Sequence, residues 1–377
     1  MPTVSVIIAN WNGRKFLGEC LDSLRKQTFT DFEVVIVDNG STDGSVEFVK
    51  NGYGDFAEII ELDRNCGYGA ANNRGIEAAK GRLIVLLNND TEVDKCWLET
   101  LTNAAIADDV RFSGPPDSVC CSAPTVHPSA HNAQQEARTR DVGISGPRVG
   151  MFASKILNYF NRDIIDNVGH LLYPDGLNRG RGRLEKDDGR FDTPCEALFP
   201  SGCAALYRRE MLDEIGLFDE DFFAYGDDTD IGLRGRLAGW GCWYIPASVV
   251  YHRYSATAGE HSSLKAYLVE RNRVFIALKY LPASMLLASP WHTLKRLTMQ
   301  ALGALTGRGA AGRFAESGSP LLLVYLLLKA YASALGGALK MMRKRVEYRR
   351  FVRLSPRETR NLLKRFRIGT REIALKD

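Results

Sequence analysis

An α/β fold built around a parallel sheet is what this 377-residue sequence predicts. Residues 3–90 alternate β-branched apolar runs with segments of helical periodicity, the order that a parallel sheet requires. The runs TVSVIIAN, EVVIVD and RLIVLL are continuously apolar rather than alternating, as strands covered on both faces are. Each ends in a polar cluster (ANWNG, VDNGS, LNNDT) at the carboxyl edge, where such sheets bind ligands.

The elements follow in order. RKFLGECLDSLRKQTF sets Leu17, Cys20, Leu21 and Leu24 at i, i+3, i+4 and i+7, one apolar helix face. DFEVVIVDNGSTDGS is a buried strand with its turn, SVEFVKN opens a helix, and EIIELD is a short strand. NNRGIEAAKG reads as a helix ending at Gly81, before the strand RLIVLLNND. Residues 108–146, rich in Pro, Ser and Ala and without period, read as a long surface insertion. Regular structure resumes near MFASKIL, and the helix RREMLDEIGLF, the cluster FFAYGDDTDIGLR and the short strand WYIPASVVYH follow. The organisation expected is an α/β unit over 1–258 and a helical, apolar and basic region over 259–377.

That second region carries a charge asymmetry. From Lys340 onward there are 14 Lys/Arg against 4 Asp/Glu, whereas the whole chain nets only +4, so the rest is acidic. A basic tail wants an anionic partner, a membrane surface or nucleic acid. Its cations lie among Leu and Val with few stacking aromatics, which favours the lipid surface over nucleic acid. Between Ser317 and Leu339 the only charge is Lys329, so this stretch is long enough to span a bilayer. Its Gly, Ala and Ser content and mid-run Lys favour a helix lying in the interface; a core helix of a soluble appendage is the third reading. Eight cysteines without CxxC pairing argue against a zinc site or disulfide framework and fit a reducing compartment. MPTVSVIIANWNG enters a strand at once, so no signal peptide is expected.

Several residues are candidates for chemistry. Asp90 closes LLNND at a strand end, where a carboxylate can hold a divalent cation or merely cap a turn. Asp38 and Asn39 lie at the crevice, within reach of a base or ribose, whereas Ser41 and Asp43 read as helix caps. NCGYGAANNRG offers G-x-G-x-x-N, but it lacks the third glycine and follows the third strand, so a dinucleotide site is disfavoured. In the aspartate cluster, Asp227 can cap the helix and Asp230 can pair with Arg234 at i+4. Asp228 points off the face those two share, which leaves it as either a functional carboxylate or a solvated one. His252 follows an apolar strand, as a surface polar residue or as a metal ligand beside Asp90.

Taken as an ordered set, VSVIIANWNG, EVVIVDNGSTDGS, NCGYGAANNRGI, LLNNDTEV, SGCAALYRREMLDEIGLFDEDFFAYGDDTDIGLRGRLAGW and VVYHRYSAT resemble glycosyltransferase family 2. The nearest subgroup is the bacterial rhamnosyltransferase-like one, and the match covers residues 3–258 except 108–146. The resemblance implies the GT-A nucleotide-diphospho-sugar transferase fold, with a Rossmann-like mixed sheet flanked by helices. It also implies a nucleotide-sugar donor (a dTDP- or UDP-sugar), a divalent cation, Mg²⁺ or Mn²⁺, and inversion at the anomeric carbon. Ala9, Trp11 and Asn39 fall where family members contact the base, with Asp38 and Asn73 close by. Asp90 is the last residue of the metal-binding motif. Asn88 and Asn89 stand where relatives often carry acids, so they are assigned to the nucleotide sugar and the metal rests on fewer charges. His252 occupies the position that completes the metal site, and Asp227-Asp228 stands for Glu-Asp, whose second residue is the base.

The function these observations imply is transfer of a sugar, rhamnose in the subgroup, to a lipid-linked or cell-surface glycan. The expected location is the cytoplasmic face of the bacterial inner membrane, and a homo-oligomer is left open. The competing reading is a non-catalytic nucleotide-sugar-binding scaffold subunit, supported only by Asn88 and Asn89.

Overall fold

A computed structural model describes residues 1–107, 148–254, 262–307 and 320–376 of the chain. The insertion expected at 108–146 lies outside the described residues. The first half alternates as the sequence predicts: β1 (Val4–Asn10), α1 (Arg14–Arg25), β2 (Phe32–Asp38), α2 (Ser45–Tyr53), β3 (Ala57–Glu61), α3 (Tyr68–Ala78), β4 (Leu83–Leu87). Helix α3 begins four residues before the expected NNRG start, because the chain already turns helical after Gly67, and it ends before Gly81. Short strands that show no pattern of their own follow: β5 (Thr91–Val93), then, after α4 (Trp97–Ile106), β7 (Ile165–Asn167), β8 (His170–Leu172), β9 (Asn178–Gly180) and β10 (Cys195–Glu196). Longer elements complete this part: β6 (Val149–Asn158), β11 (Ala204–Arg208), α5 (Arg209–Ile215), α6 (Asp227–Leu237) and β12 (Gly241–His252).

The main sheet runs β10-β12-β6-β11-β4-β1-β2-β3, with β5 paired to β12 and β7 to β6. Strands β1 to β4 are parallel, and β11 is antiparallel to both β4 and β6, so the sheet is mixed. Strand β12 starts two residues before the expected WYIPASVVYH and carries Pro246 in an irregularity between Ile245 and Val249. Side chains sort onto two faces. Leu17, Cys20, Leu21 and Leu24 of α1 join Trp97 and Leu101 of α4 over one face, and Ile76, Met211, Leu233 and Phe275 fill the other.

Beyond β12 the run SLKAYLVERNRVFIALKYLPASMLL divides at Leu281-Pro282 into α7 (Ser263–Tyr280) and α8 (Ala283–Leu305). Helix α9 (Pro320–Tyr348) packs along α7 through Leu326, Ala330, Ala334 and Met341, with Gly337 against the Phe275 ring. Its other faces leave Leu321, Val324, Leu328, Leu335 and Leu339 more than half exposed. Two short helices, α10 (Pro356–Arg365) and α11 (Thr370–Leu375), close the described chain. The basic tail finds part of its anionic partner in the body itself: Lys340 and Lys344 pair with Asp221, Arg353 with Glu214, Arg365 with Glu196, and Lys376 with Glu185.

Candidate active site

The carboxyl ends of β1, β2 and β4 form one polar edge, because parallel strands end together. Asn10 is its hub. Its Nδ2 donates to Asp38 Oδ2 at 2.9 Å, and its Oδ1 accepts from Asn89 Nδ2 at 2.6 Å. Asp38 accepts from the Ser41 amide through its other oxygen, fixing the turn after β2. Ala9 lies on β1, Trp11 stands exposed beside the edge, and Asn88 is half-buried with its amide bonded to Cys203 O. Asn39 uses both ends of its side chain on the 65–67 turn, donating to Asn65 Oδ1 and Gly67 O and accepting from Cys66 N.

Asn73 is the sequence-nominated residue that the structure does not bring to this edge. It is buried, with Nδ2 on Phe218 O and Glu220 Oε1 and Oδ1 on Phe218 N, so its amide is spent joining α3 to the 218–220 segment. The glycines of the same motif serve that junction too. At φ +95°, Gly67 lies so close to the Phe223 carbonyl that any β-carbon would collide with it, and Gly69 lies against the Phe218 side chain.

Asp90 and His252 meet because β12 pairs antiparallel with β5, setting His252 opposite Thr91. His252 Nε2 is 3.4 Å from Asp90 Oδ1, and both side chains are buried. Asp166 was not foreseen in the sequence. It takes the other imidazole nitrogen at 2.6 Å and is itself held by Arg183 at 2.8 Å. Burial would raise the Asp166 pKa, but the hydrogen bond and charge of His252, with Arg183, outweigh it and hold the carboxyl below its usual range.

The donor set at this corner fits a divalent cation. Asp90 Oδ1 is buried and makes no hydrogen bond of ordinary geometry; its positive neighbour is His252. Burial opposes the charge on that imidazole, but Asp90 and Asp166 help to hold it in the charged form, and a bound cation would replace the proton. Asp166 orients the imidazole with Nε2 toward Asp90, as carboxylates behind metal-binding histidines do. The 3.4 Å separation is close to the roughly 3 Å between neighbouring ligands of an octahedral cation. Among the described residues no cluster of three or more His, Cys, Asp or Glu suits a metal, so the described part of this corner brings two candidate ligands together.

Across the edge, the 201–203 turn links this corner to the aspartate cluster. Cys203 O accepts from Asn88 N at 2.9 Å, and Gly202 N donates to Asp228 Oδ2 at 3.3 Å. Helix α6 starts on Gly226 at φ +86°, and no side chain caps it. The expectation that Asp227 caps the helix is therefore corrected: Asp227 is its first residue, buried, with Oδ1 unpartnered. Burial, reinforced by the neighbouring Asp228, pushes its carboxyl up to about 8. Asp230 does pair with Arg234 at 2.7 Å, and it also receives Lys279 and the Tyr280 hydroxyl. Asp228 alone of the three keeps an exposed edge, at 19% of its side chain. Its Oδ1 is held by Thr229 N at 2.7 Å. Two carboxyls side by side, one driven toward its neutral form, divide acid and base character between them.

The segment before α6 is strained and clamped. Phe223 and Tyr225 have φ of 65° and 66°. Asn272 Nδ2 donates to the carbonyls of Phe222, Ala224 and Tyr225, and Arg271 to those of Asp221 and Phe222. Lys279 is buried between Asp219 and Asp230, and Lys344 reaches Asp219 from α9.

A mixed sheet of this order, flanked by helices and with polar residues at the carboxyl ends of its parallel strands, is the architecture of the GT-A fold. A crystal structure of GalNAc-T7 with UDP, GalNAc and Mn²⁺ superposes with TM-score 0.53 at 19% identity, covering 76% of this chain and 49% of that one. Family models place the sequence further: Glycosyl transferase family 2 matches residues 5–169, and Glycosyltransferase like family 2 matches 189–276. The chain belongs to glycosyltransferase family 2. An uncharacterized glycosyltransferase, YibD of Escherichia coli K12, is 38% identical over 108 residues, which are 28% of this chain and 31% of that one. The O-antigen biosynthesis protein RfbC of Myxococcus xanthus is 26% identical over 249 residues, 63% of this chain and 16% of that one. The chain thus matches less than a third of the length of either relative.

Proposed function

We propose that the protein is an inverting glycosyltransferase that moves a sugar from a nucleoside-diphosphate donor to a hydroxyl of a glycan acceptor. The observation that carries this is the pairing of a buried Asp90 Oδ1 facing His252 with Asp228 held across the 201–203 turn, in a family 2 chain. Asp38 and the backbone around Ala9, Trp11 and Asn39 bind the nucleotide, with Asn88 and Asn89 toward the sugar diphosphate. Asp90 and His252 would hold Mg²⁺ or Mn²⁺, which when bound neutralises the charge gathering on the departing diphosphate. Asp228 takes the proton of the acceptor hydroxyl as its oxygen attacks the anomeric carbon from the face opposite the leaving group. Asp227 beside it stays protonated near neutrality and adds no second charge.

The donor is a dTDP- or UDP-sugar, with rhamnose the first sugar to test. A relative named for O-antigen biosynthesis supports a lipid-linked or cell-surface glycan as acceptor. The catalytic unit is 1–258, completed by the helices that follow. Helix α9, packed lengthwise on α7 and apolar on its outer faces, lies on the anionic cytoplasmic leaflet rather than crossing it.

The test is nucleoside diphosphate release from UDP-, dTDP- and GDP-sugars with membranes as acceptor source, with Mg²⁺ or Mn²⁺ against EDTA. Release from one donor that needs metal and falls about 10²- to 10⁴-fold in Asp228→Asn is the expected outcome. Nucleotide binding without release from any donor, in the presence of a competent acceptor, would instead favour a scaffold subunit.

A further inference from the structure

The β8–β9 hairpin stands against the start of α6, and nothing in the reaction proposed above uses it. Asn178 of β9 donates to Thr229 Oγ1, and His170 of β8 sets its Nε2 3.9 Å from Asp228 Oδ2. His170 is buried and stacked on Phe199 with ring centroids 4.9 Å apart. Its protonation is legible from its neighbour. Asn167 Oδ1 accepts from Gly169 N at 2.8 Å, which turns the amide NH₂ to His170 Nε2 at 3.1 Å. Nε2 is therefore an acceptor, and the ring proton sits on Nδ1, which is buried and makes no hydrogen bond. Burial lowers the His170 pKa against the pull of Asp228 and Asp166, so the ring is neutral. The hairpin cannot easily shift: a β-carbon at Gly169 would press on Ala197, and one at Gly180 on the Asn167 amide.

We infer that His170 is a positioning residue for Asp228, accepting a hydrogen bond from its carboxyl once that group has taken the acceptor's proton. This rests on Asp228 being the base. In the step, the acceptor O–H bond breaks and its proton passes to Asp228 Oδ2. The acceptor oxygen bonds to the anomeric carbon, and the bond to the diphosphate breaks, its electron pair leaving on the diphosphate. The new Oδ2–H faces the Nε2 lone pair across 3.9 Å, and a turn of the Asp228 side chain closes that gap as Nε2 exchanges the Asn167 amide for it. The contact favours the protonated carboxyl over the carboxylate, so it strengthens as the proton arrives. The titratable groups around the pair are Asp227 on α6, Tyr68 on α3, Tyr207 on β11 and Asp166 on β7; Asp227 and the two tyrosines are neutral, and the ionised Asp166 is already spent on His252 and Arg183. The imidazole is thus the acceptor placed to receive that proton's hydrogen bond.

The experiment compares wild type, His170→Phe, His170→Gln and Asp228→Asn in kcat, donor KM and the pH profile of kcat/KM, with a melting temperature for each. His170→Phe should lower kcat about tenfold, the worth of one hydrogen bond, at unchanged donor KM. Losing the acceptor lowers the proton affinity of Asp228, so the acid limb should move down by about one pH unit. His170→Gln, which keeps an acceptor, should hold near wild type. If the Phe variant does not fold, His170→Asn, too short to reach, takes its place with the same expectation. An unmoved acid limb, or equal losses in Phe and Gln that track melting temperature, would reduce His170 to packing. Activity in Asp228→Asn would sink the base assignment itself, whatever His170 shows.

Discussion

The strand-end edge and the aspartate loop are both buried polar constructions, but they are built from different forces. At the edge, Asn10, Asn39 and Asn89 with Asp38 make a lattice dominated by amide hydrogen bonds among residues at successive strand ends. The loop is an ion lattice: Asp219, Asp221 and Asp230 are held by Lys279, Arg234, Lys344 and Lys340, which come from α6, α7 and α9. Amide lattices can be closed locally, since each member carries donor and acceptor. A cluster of carboxylates cannot, and must bring cations from elsewhere in the chain.

The sharpest way to break this contrast is Lys279→Met. It leaves Asp219 and Asp230 short of buried positive charge and should cost about 3–5 kcal/mol in a urea titration. A loss under about 1 kcal/mol would mean the loop is not held by ions. The companion pH experiment has a definite sign. Burial opposes the charge on Asp219, but Lys279 and Lys344 outweigh it and hold its carboxyl down to about 2. Its stabilisation is in place above pH about 4 and drains away as pH falls toward about 2. Asp227 runs the other way. With its carboxyl raised to about 8, stability is full below pH about 4 and declines as pH rises through about 8. Asp227→Asn should therefore gain on the order of a few kcal/mol over wild type at pH 8 and little at pH 4.

At the strand-end edge, Asn39→Ala should cost about 1–3 kcal/mol by orphaning the Cys66 amide. Because no ion is involved, the loss should be the same at low and high salt. A salt-dependent loss would blur the distinction between the two regions. The smallest effect belongs to Lys340→Ala. This side chain is 62% exposed, so its pair with Asp221 is worth under about 1 kcal/mol and should fade with added salt.

The same contrast explains what the sequence discloses. Strands β1, β2 and β4 are legible because their apolar runs are continuous, and the edge residues follow from where those runs stop. The placement of Asp228 off the buried face is legible from helix geometry, since Asp227 and Asp230 share the face that it leaves. Asp166, His170 and Lys279 are not. They lie on strands of three residues or within a long helix of mixed polarity, and only tertiary pairing gives them a role. Asn73 misleads for a related reason: its motif looks like a ligand turn, yet its amide serves the Phe218 backbone. The cap assigned to Asp227 fails because Gly226, at positive φ, turns the chain into α6 without any side chain's help.

The lysines of α9 that reach Asp219 and Asp221 bear on how such chains can be recombined. A hybrid that joins the first part of this chain to another relative's helices would inherit aspartates fitted to cations it no longer has. The loop and α9 form one inheritance unit, although about 120 residues separate Asp221 from Lys340. New acceptor preferences grafted onto this scaffold would have to carry the distant helix along with the loop.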